Sequence, residues 1–396
     1  MKLKRLSEDF QVEEQISLVA DGGPFALYRL TKQSLGTPEA MDAIARRWKL
    51  PPQRIAFAGL KDKHALTRQY FTVQQGPKRG ISQANIEVEY VGQTSRPIHA
   101  SDIAANRFVI AIRDLSDLEI EAATGSLAAI AADGLPNYFD SQRFGSLGQS
   151  GEFIAEPWCR GDYERALWLA IADPNARDRA GDRDEKQILR DNWSDWRRCA
   201  ELLPRARSRK IIELLVRRPG DWRRTISLIR QDLRSLWLAA FQSYLWNQVL
   251  DAVVRDVCRP QQLTLQRVGS RDLNFFTNLD SSQRSRLRSA QLPLPSARLH
   301  FDDADALKPI YERVVAAEGL ELRQIRVKYP RDSFFSKGLR PATFQPEELS
   351  HAISEDELYS GRRKLTLRFA LPRGCYATIL VKRLVGQTDD LHDEYD

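Results

Sequence analysis

Residues 55–73 read IAFAGLKDKHALTRQYFTV. Two apolar runs, 55–59 and 68–74, flank a polar knot, Lys61-Asp62-Lys63-His64. The flanks are short, apolar and strand-like, and Ala56, Ala58 and Gly59 leave room for close approach. A surface turn accounts for the knot, because Lys-Asp-Lys is common in turns. A carboxylate in a positive pocket accounts for it as well. Lys61, Lys63 and His64 favour the charged form of Asp62, and an ionised carboxylate among cations suits a nucleophile or base acting on a polyanion. The knot alone leaves both readings open.

Outward from the knot, further elements alternate. Residues 25–30 (FALYRL), 86–90 and 108–112 read as strands. A helix is expected over 37–50: Thr37 can cap it, Pro38 suits its first position, Glu39 suits the positive end of its dipole, and Pro51-Pro52 ends it. The stretch 151–339 reads as largely helical, with apolar periodicity at 166–169, 236–254 and 307–318. Residues 364–384 return to strands, LTLRFALP and then YATILVKRL. Strands, then helices, then strands predict a sheet domain with a helical insertion. The expected boundaries are 1–148 for the first part of the sheet domain, 149–345 for the insertion, and 346–396 for the closing strands and an acidic tail, whose residues 389–396 are expected to fray.

Composition narrows the function. The chain has 396 residues, 42% of them hydrophobic, which excludes a wholly disordered chain. The first residues, MKLKRLSEDFQVEE, lack an apolar leader, and no apolar run is long enough to span a bilayer. A soluble cytoplasmic protein with no membrane partner is the expectation. The four cysteines form no CxxC pair and the five histidines are scattered, so neither a disulfide framework nor a metal site is expected. Net charge is +7 and arginine dominates the cations, which favours an anionic partner. The arginines concentrate in 196–234, on stretches that read as amphipathic helices with a basic outer face. That face suits solvent or an RNA backbone equally. There is no GxGxxG after a strand, no Walker A motif and no GxSxG elbow, so a nucleotide cofactor and an α/β-hydrolase are disfavoured. A pair of carboxylates acting on a glycoside is not excluded by the sequence.

Six stretches, in order, resemble the TruD class of pseudouridine synthases. KRLSEDFQVEE (4–14) is similar to the family's opening Lys…Pro-Glu-Asp-Phe-x-Val-x-Glu, with Ser7 at the proline. FAGLKDKHALTRQ (57–69) resembles its Gly-x-Lys-Asp-Lys-x-Ala-x-Thr-x-Gln motif. AANRFVIAIR (104–113), GLPNYFDSQRFG (134–145), FQSYLWNQVL (241–250) and LPRGCYATILVKRL (371–384) resemble its remaining signatures. Ala105, Asp140 and Trp246 depart from the pattern, and Asp140 adds a carboxylate beside a loop expected to face RNA.

The resemblance implies an α+β pseudouridine synthase fold, a mostly antiparallel curved sheet flanked by helices, with a largely helical insertion. It implies isomerisation of uridine in tRNA or another structured RNA, with uridine 13 of the D-arm as the family precedent, and no cofactor or metal. Asp62 becomes the catalytic acid. Phe108 is the aromatic that stacks on the target base, and Asn106 orients the carboxylate. Lys4 lies near the acid or a phosphate. Lys61, Lys63 and His64 contact phosphate or hold the loop, and Gln69 braces it. Asn137, Gln142 and Arg143 belong to the second signature loop, Tyr244 and Asn247 pack and cap an internal helix, and Tyr376 and Thr378 close the sheet. The competing expectations are a non-catalytic RNA-binding protein or RNA chaperone that keeps the fold, and a synthase acting on RNAs other than tRNA.

Overall fold

The structure, a computed structural model, describes residues 1–386. The acidic tail at 389–396 lies outside the described residues. The chain divides into two compact units. The first holds residues 1–135 and the described residues from 344 onward, and the second holds residues 136–343.

The first unit is built on ten strands: β1 (Lys2–Leu3), β2 (Phe10–Ile16), β3 (Phe25–Gln33), β4 (Ile55–Phe57), β5 (Leu66–Gln74), β6 (Ile81–Gln83), β7 (Ile86–Thr94), β8 (Ile103–Leu115), β9 (Glu347–Glu355) and β10 (Arg363–Pro372). Their order is β9-β10-β8-β2-β5-β3-β7-β6, with β1 also on β8 and β4 also on β5. Every pairing is antiparallel except β2 with β5. The strands alternate because one face is buried. Ala26, Tyr28 and Leu30 of β3, Phe71 and Val73 of β5 and Val88 of β7 form a core with Met41 and Ile44 of helix α1 (Thr37–Trp48). Tyr28 stacks on Phe71 at 5.0 Å between ring centroids.

The same face turns polar at one end. The register aligns Lys32 of β3 with Thr67 of β5, and Glu14 of β2 with Asn106 of β8. Gln69 of β5 shares the face of Thr67, two residues on. Lys32, Thr67, Gln69 and Glu14 are all buried. A row of polar side chains thus crosses four strands under the loop that joins β4 to β5.

Three local expectations are corrected. Residues 376–384 were expected to form a strand, and instead Ala377–Val385 is a helix, α3. Ala377, Leu380, Val381 and Leu384 are buried at helical spacing, and α3 packs against α2 (Asp117–Asp133). The β-branched residues of ATILVKRLV suggested a strand, and burial of one helical stripe outweighs that weak propensity. Tyr376 is therefore the residue before a helix and Thr378 lies inside it; neither closes the sheet. Thr37 does not cap α1. Gly36 occupies the cap and Thr37 is the first helical residue, so its hydroxyl is free for other partners. The strand expected to end at Leu30 runs on to Gln33.

The second unit is largely helical, and its longest helix is Gln231–Val257. It also contains antiparallel pairs, Leu263–Val268 with Arg271–Phe276 and Gln291–Pro293 with Leu339–Pro341. In the arginine-rich stretch the helices are Trp196–Leu202, Arg209–Arg217 and Trp222–Ile226. Much of the charge there is already paired: Arg198 with Glu201, Arg207 with Asp182, Arg209 with Glu213 and Arg230 with Asp232. Arg234 is not on an outer face. It is buried and bonded to both oxygens of Asp332 at 2.8 and 2.9 Å.

Candidate active site

The polar knot is the hairpin loop between β4 and β5, and the residues around it fix it from several sides. Gln69 donates from Nε2 to the Gly59 carbonyl at 3.2 Å. The Lys61 amide donates to the Thr37 hydroxyl at 3.0 Å, and that hydroxyl donates to Gln69 Oε1 at 2.8 Å. Lys32 reaches up from the sheet and donates from Nζ to the carbonyls of Leu35 (2.6 Å), Asp62 (2.8 Å) and, more weakly, Lys61 (3.5 Å). Apart from the bond between Thr37 and Gln69, each of these engages a backbone atom, so together they set the path of the loop.

Two cation–carboxylate contacts set the charge. Lys4 Nζ lies 3.1 Å from Asp62 Oδ2, and its side chain is 10% exposed against 33% for Asp62. Lys4 adopts a left-handed φ of 52°, and its ammonium sits 4.2 Å from the centre of the Phe10 ring, a cation–π geometry. The second contact is Lys61 Nζ with Glu14 Oε1 at 2.8 Å, where Glu14 is wholly buried. Lys61 also donates to Asn106 Oδ1 at 2.9 Å. Glu14 Oε1 has no hydrogen bond of good geometry, so its contact with Lys61 is a charge attraction within range but off line. Its other oxygen accepts from the Tyr70 amide at 2.9 Å. The bond of Asn106 thus runs to Lys61, the neighbour of Asp62, and not to Asp62 itself.

Burial dominates the electrostatics of Lys32, pushing its pKa down from 10.5 to about 8. Asp62 opposes that fall and Lys61 adds to it. Asp62 keeps its carboxylate partly in solvent with Lys4 as its ion-pair partner among the described residues. An accessible carboxylate held in a pinned loop can attack a carbon or take a proton.

The other predicted residues fall into two groups. Phe108 is on β8, two residues from Asn106 and so on the same face. It is buried, stacked on Phe369 at 5.4 Å and edge-on to Phe10 at 6.3 Å. Lys63 and His64 lie on the loop, both exposed. Asn137, Gln142 and Arg143 lie in the second unit. Asn137 is buried, donating to the Pro341 carbonyl and accepting from Arg340. Arg143 donates to the Ser243 hydroxyl at 3.2 Å, and Gln142 is exposed. Asp140 is buried and accepts from Ser141, so it is not presented by its loop. Asn247 clamps the same loop by bonding both the amide and the carbonyl of Phe139, each at 2.8 Å.

Sequence reading missed two contributors, Glu14 and Lys32. Lys32 was findable: Ala26, Tyr28, Leu30 and Lys32 continue one alternation, and a strand ended at Leu30 hides the last of them. Glu14 carried no signal beyond its place in the opening motif. No group of three or more His, Cys, Asp or Glu side chains among the described residues could hold a metal ion, and no helix there is long and apolar enough to cross a membrane.

Comparison with known proteins gives the family and the fold. The chain is 29% identical over 389 residues to "Probable tRNA pseudouridine synthase D 2" of Methanocaldococcus jannaschii, covering 97% of the chain and 91% of that protein. It is 27% identical to "tRNA pseudouridine synthase D" of Aquifex aeolicus, covering 97% and 98%. A crystal structure of a Methanosarcina mazei protein named "Putative tRNA pseudouridine synthase D (TruD)" shares the fold, with a TM-score of 0.74 at 22% identity over 98% of the chain and 94% of its own. The family model "tRNA pseudouridine synthase D (TruD)" matches residues 1–384, and the chain belongs to that family of isomerases.

Proposed function

We propose that Asp62 is the acid with which this tRNA pseudouridine synthase isomerises uridine, and that the target is uridine 13 of the D-arm. The observation that carries the first part is the placement of Asp62. Its carboxylate is the accessible member of a charge cluster whose other carboxylate, Glu14, is wholly buried. The loop beneath it is tied to α1, β3 and β5. The position in tRNA rests on the resemblance of the six sequence stretches.

The reaction breaks N1–C1′, turns the base, and joins C5 to C1′. C5 gives up its proton and N1 gains one, so no electron or group leaves the nucleoside. Asp62 serves by attacking C1′ as the uracil departs, or by taking the C2′ proton so that a glycal forms. In either route Lys4 stays beside the carboxylate as its counter-charge. Lys61, neutralised by Glu14 and steered by Asn106, holds its side of the pocket. The free uracil must be gripped while it turns, and Phe108 is the stacking partner proposed for it. A base–aromatic stack is worth ~1–3 kcal/mol and tolerates rotation in the ring plane. The uridine leaves its helix to reach Asp62, which costs least in irregular RNA.

The test uses unmodified tRNA labelled with tritium at C5 of uridine. The full chain releases tritium and Asp62→Asn releases none above background while still binding the tRNA. Mapping of the product shows pseudouridine at position 13. Full turnover by Asp62→Asn defeats the assignment of the acid, and product at other positions alone defeats the assignment of the site.

A further inference from the structure

Lys32 is 1% exposed. Its hydrogen-bond partners are three backbone carbonyls and no carboxylate. An ammonium carries three donors and no acceptor, and three carbonyl oxygens match it in number. One of them, Leu35 O, belongs to the link between β3 and α1. The other two belong to Lys61 and Asp62. The ammonium therefore ties the loop of the acid to the sheet.

Stability is a poor reason for such a residue. Burying a cation whose hydrogen bonds reach no carboxylate is unfavourable, and an apolar side chain of similar length avoids the cost. Thr67, opposite Lys32 on β5, has a buried hydroxyl without a partner. The charged groups facing the ammonium are Asp62 and Lys61 of the loop and Glu39 of α1. The neighbours across the ladders, Thr67 and Ile86, carry no charge.

We infer that Lys32 is a positioning residue for the isomerisation, whose buried ammonium holds the Lys61 and Asp62 carbonyls and thereby aims the Asp62 carboxylate at the ribose of the target uridine. This rests on Asp62 being the reacting acid.

The pH behaviour separates this role from a structural one. Burial holds the Lys32 pKa near 8 in the fold against 10.5 outside it. The fold thus favours the neutral amine. Its contribution to stability rises as pH climbs from about 8 to 10.5. The aiming function needs the charged form with all three donors, so the rate falls as pH climbs through about 8. Rate and stability move in opposite directions, whereas a residue that merely supports the fold moves them together.

The experiment measures single-turnover tritium release and tRNA affinity for the full-length wild type, Lys32→Met and Asp62→Asn between pH 6.5 and 9.5. Lys32→Met is expected to slow release ~100-fold, the scale of an ångström misplacement. Its tRNA affinity stays within about twofold of wild type and its rate loses the alkaline decline. A Lys32→Met rate within about twofold of wild type, beside an inactive Asp62→Asn, overturns the inference and leaves the acid standing. A loss confined to affinity also overturns it. An active Asp62→Asn overturns it by removing the acid it rests on. Where circular dichroism shows that Lys32→Met does not fold, Lys32→Gln takes its place: a ~100-fold slower release at wild-type affinity supports the role, and a rate within about twofold of wild type sinks it.

Discussion

Two charge clusters sit on β8, one toward each end. Near its start, Asn106 meets Lys61 and Glu14, with Asp62 and Lys4 beside them. Near its end, Arg113 meets Asp9, Asp356 and Glu357. In composition they are alike, cations among carboxylates. In saturation they differ. Arg113 is buried and bonded through Nε, Nη1 and Nη2. Asp9 also accepts from the Leu6 amide, Asp356 from the Asp114 and Leu358 amides, and Glu357 from Lys364. Burial works against the charged Asp356, but those amide bonds and Arg113 still hold its pKa below the usual carboxylate range. The Asp62 cluster leaves the Asp62 carboxylate a third exposed, and its buried partner Glu14 keeps one oxygen without a good hydrogen bond. Ionic composition therefore does not distinguish the two clusters. Saturation does, and it singles out Asp62 as the carboxylate proposed to react.

The largest effect expected is on chemistry. Asp62→Asn lowers tritium release by ~10⁴-fold or more, while the urea midpoint stays close to wild type, because that carboxylate contributes little to the fold. A large fall in the midpoint would erase the contrast. Next is stability. Arg113→Met strands buried carboxylates and costs ~3–5 kcal/mol in urea unfolding, while the rate per folded molecule is retained. Phe108→Ala sharpens the contrast from the side of the reaction, since it removes a stack of ~1–3 kcal/mol from the rate or the affinity for tRNA, apart from the cost of its cavity. The smallest is a titration. Arg113 first, then Lys364, pulls the Glu357 pKa down from 4.5 to about 2. Because the folded value is the lower one, that stabilisation is present above pH 4.5 and is lost as pH falls toward 2. Glu357→Gln flattens this acid limb of the unfolding curve, and an unchanged limb would show that the half-exposed carboxylate adds nothing.

Much of this was legible in the sequence. The strands around the knot and the return to strands near residue 364 followed from alternation, and the first helix from Pro38 and Glu39 at its start and Pro51-Pro52 after its end. The Gly-x-Lys-Asp-Lys stretch drew attention to Asp62 before any fold was known. What escaped is physically specific. The helix Ala377–Val385 is written in strand-forming residues and is decided by which stripe α2 covers. The Thr37 hydroxyl looked like a cap because threonine before Pro-Glu resembles one, yet tertiary contact gives it to Lys61 and Gln69. The strand alternation could have shown Lys32 as buried, but nothing local says that Leu35, Lys61 and Asp62 turn their carbonyls toward it. Charge complementarity of this kind is assembled by register across strands, which a linear pattern does not reveal.

The pairing of β8 with β10 has a consequence in time. Lys4, Glu14, Lys32, Lys61, Asp62 and Asn106 all leave the ribosome within the first stretch of synthesis. The ring that stacks on Phe108 belongs to Phe369, which is made about 260 residues later, after the whole second unit. At 5–20 residues per second that is a wait of roughly 13–50 s. During that interval β8 presents an unpaired edge where β10 will dock. The nascent chain holds Asp62 long before it holds Phe369, and among the described residues the last strand to be made is the one that brings the ring stacked on Phe108.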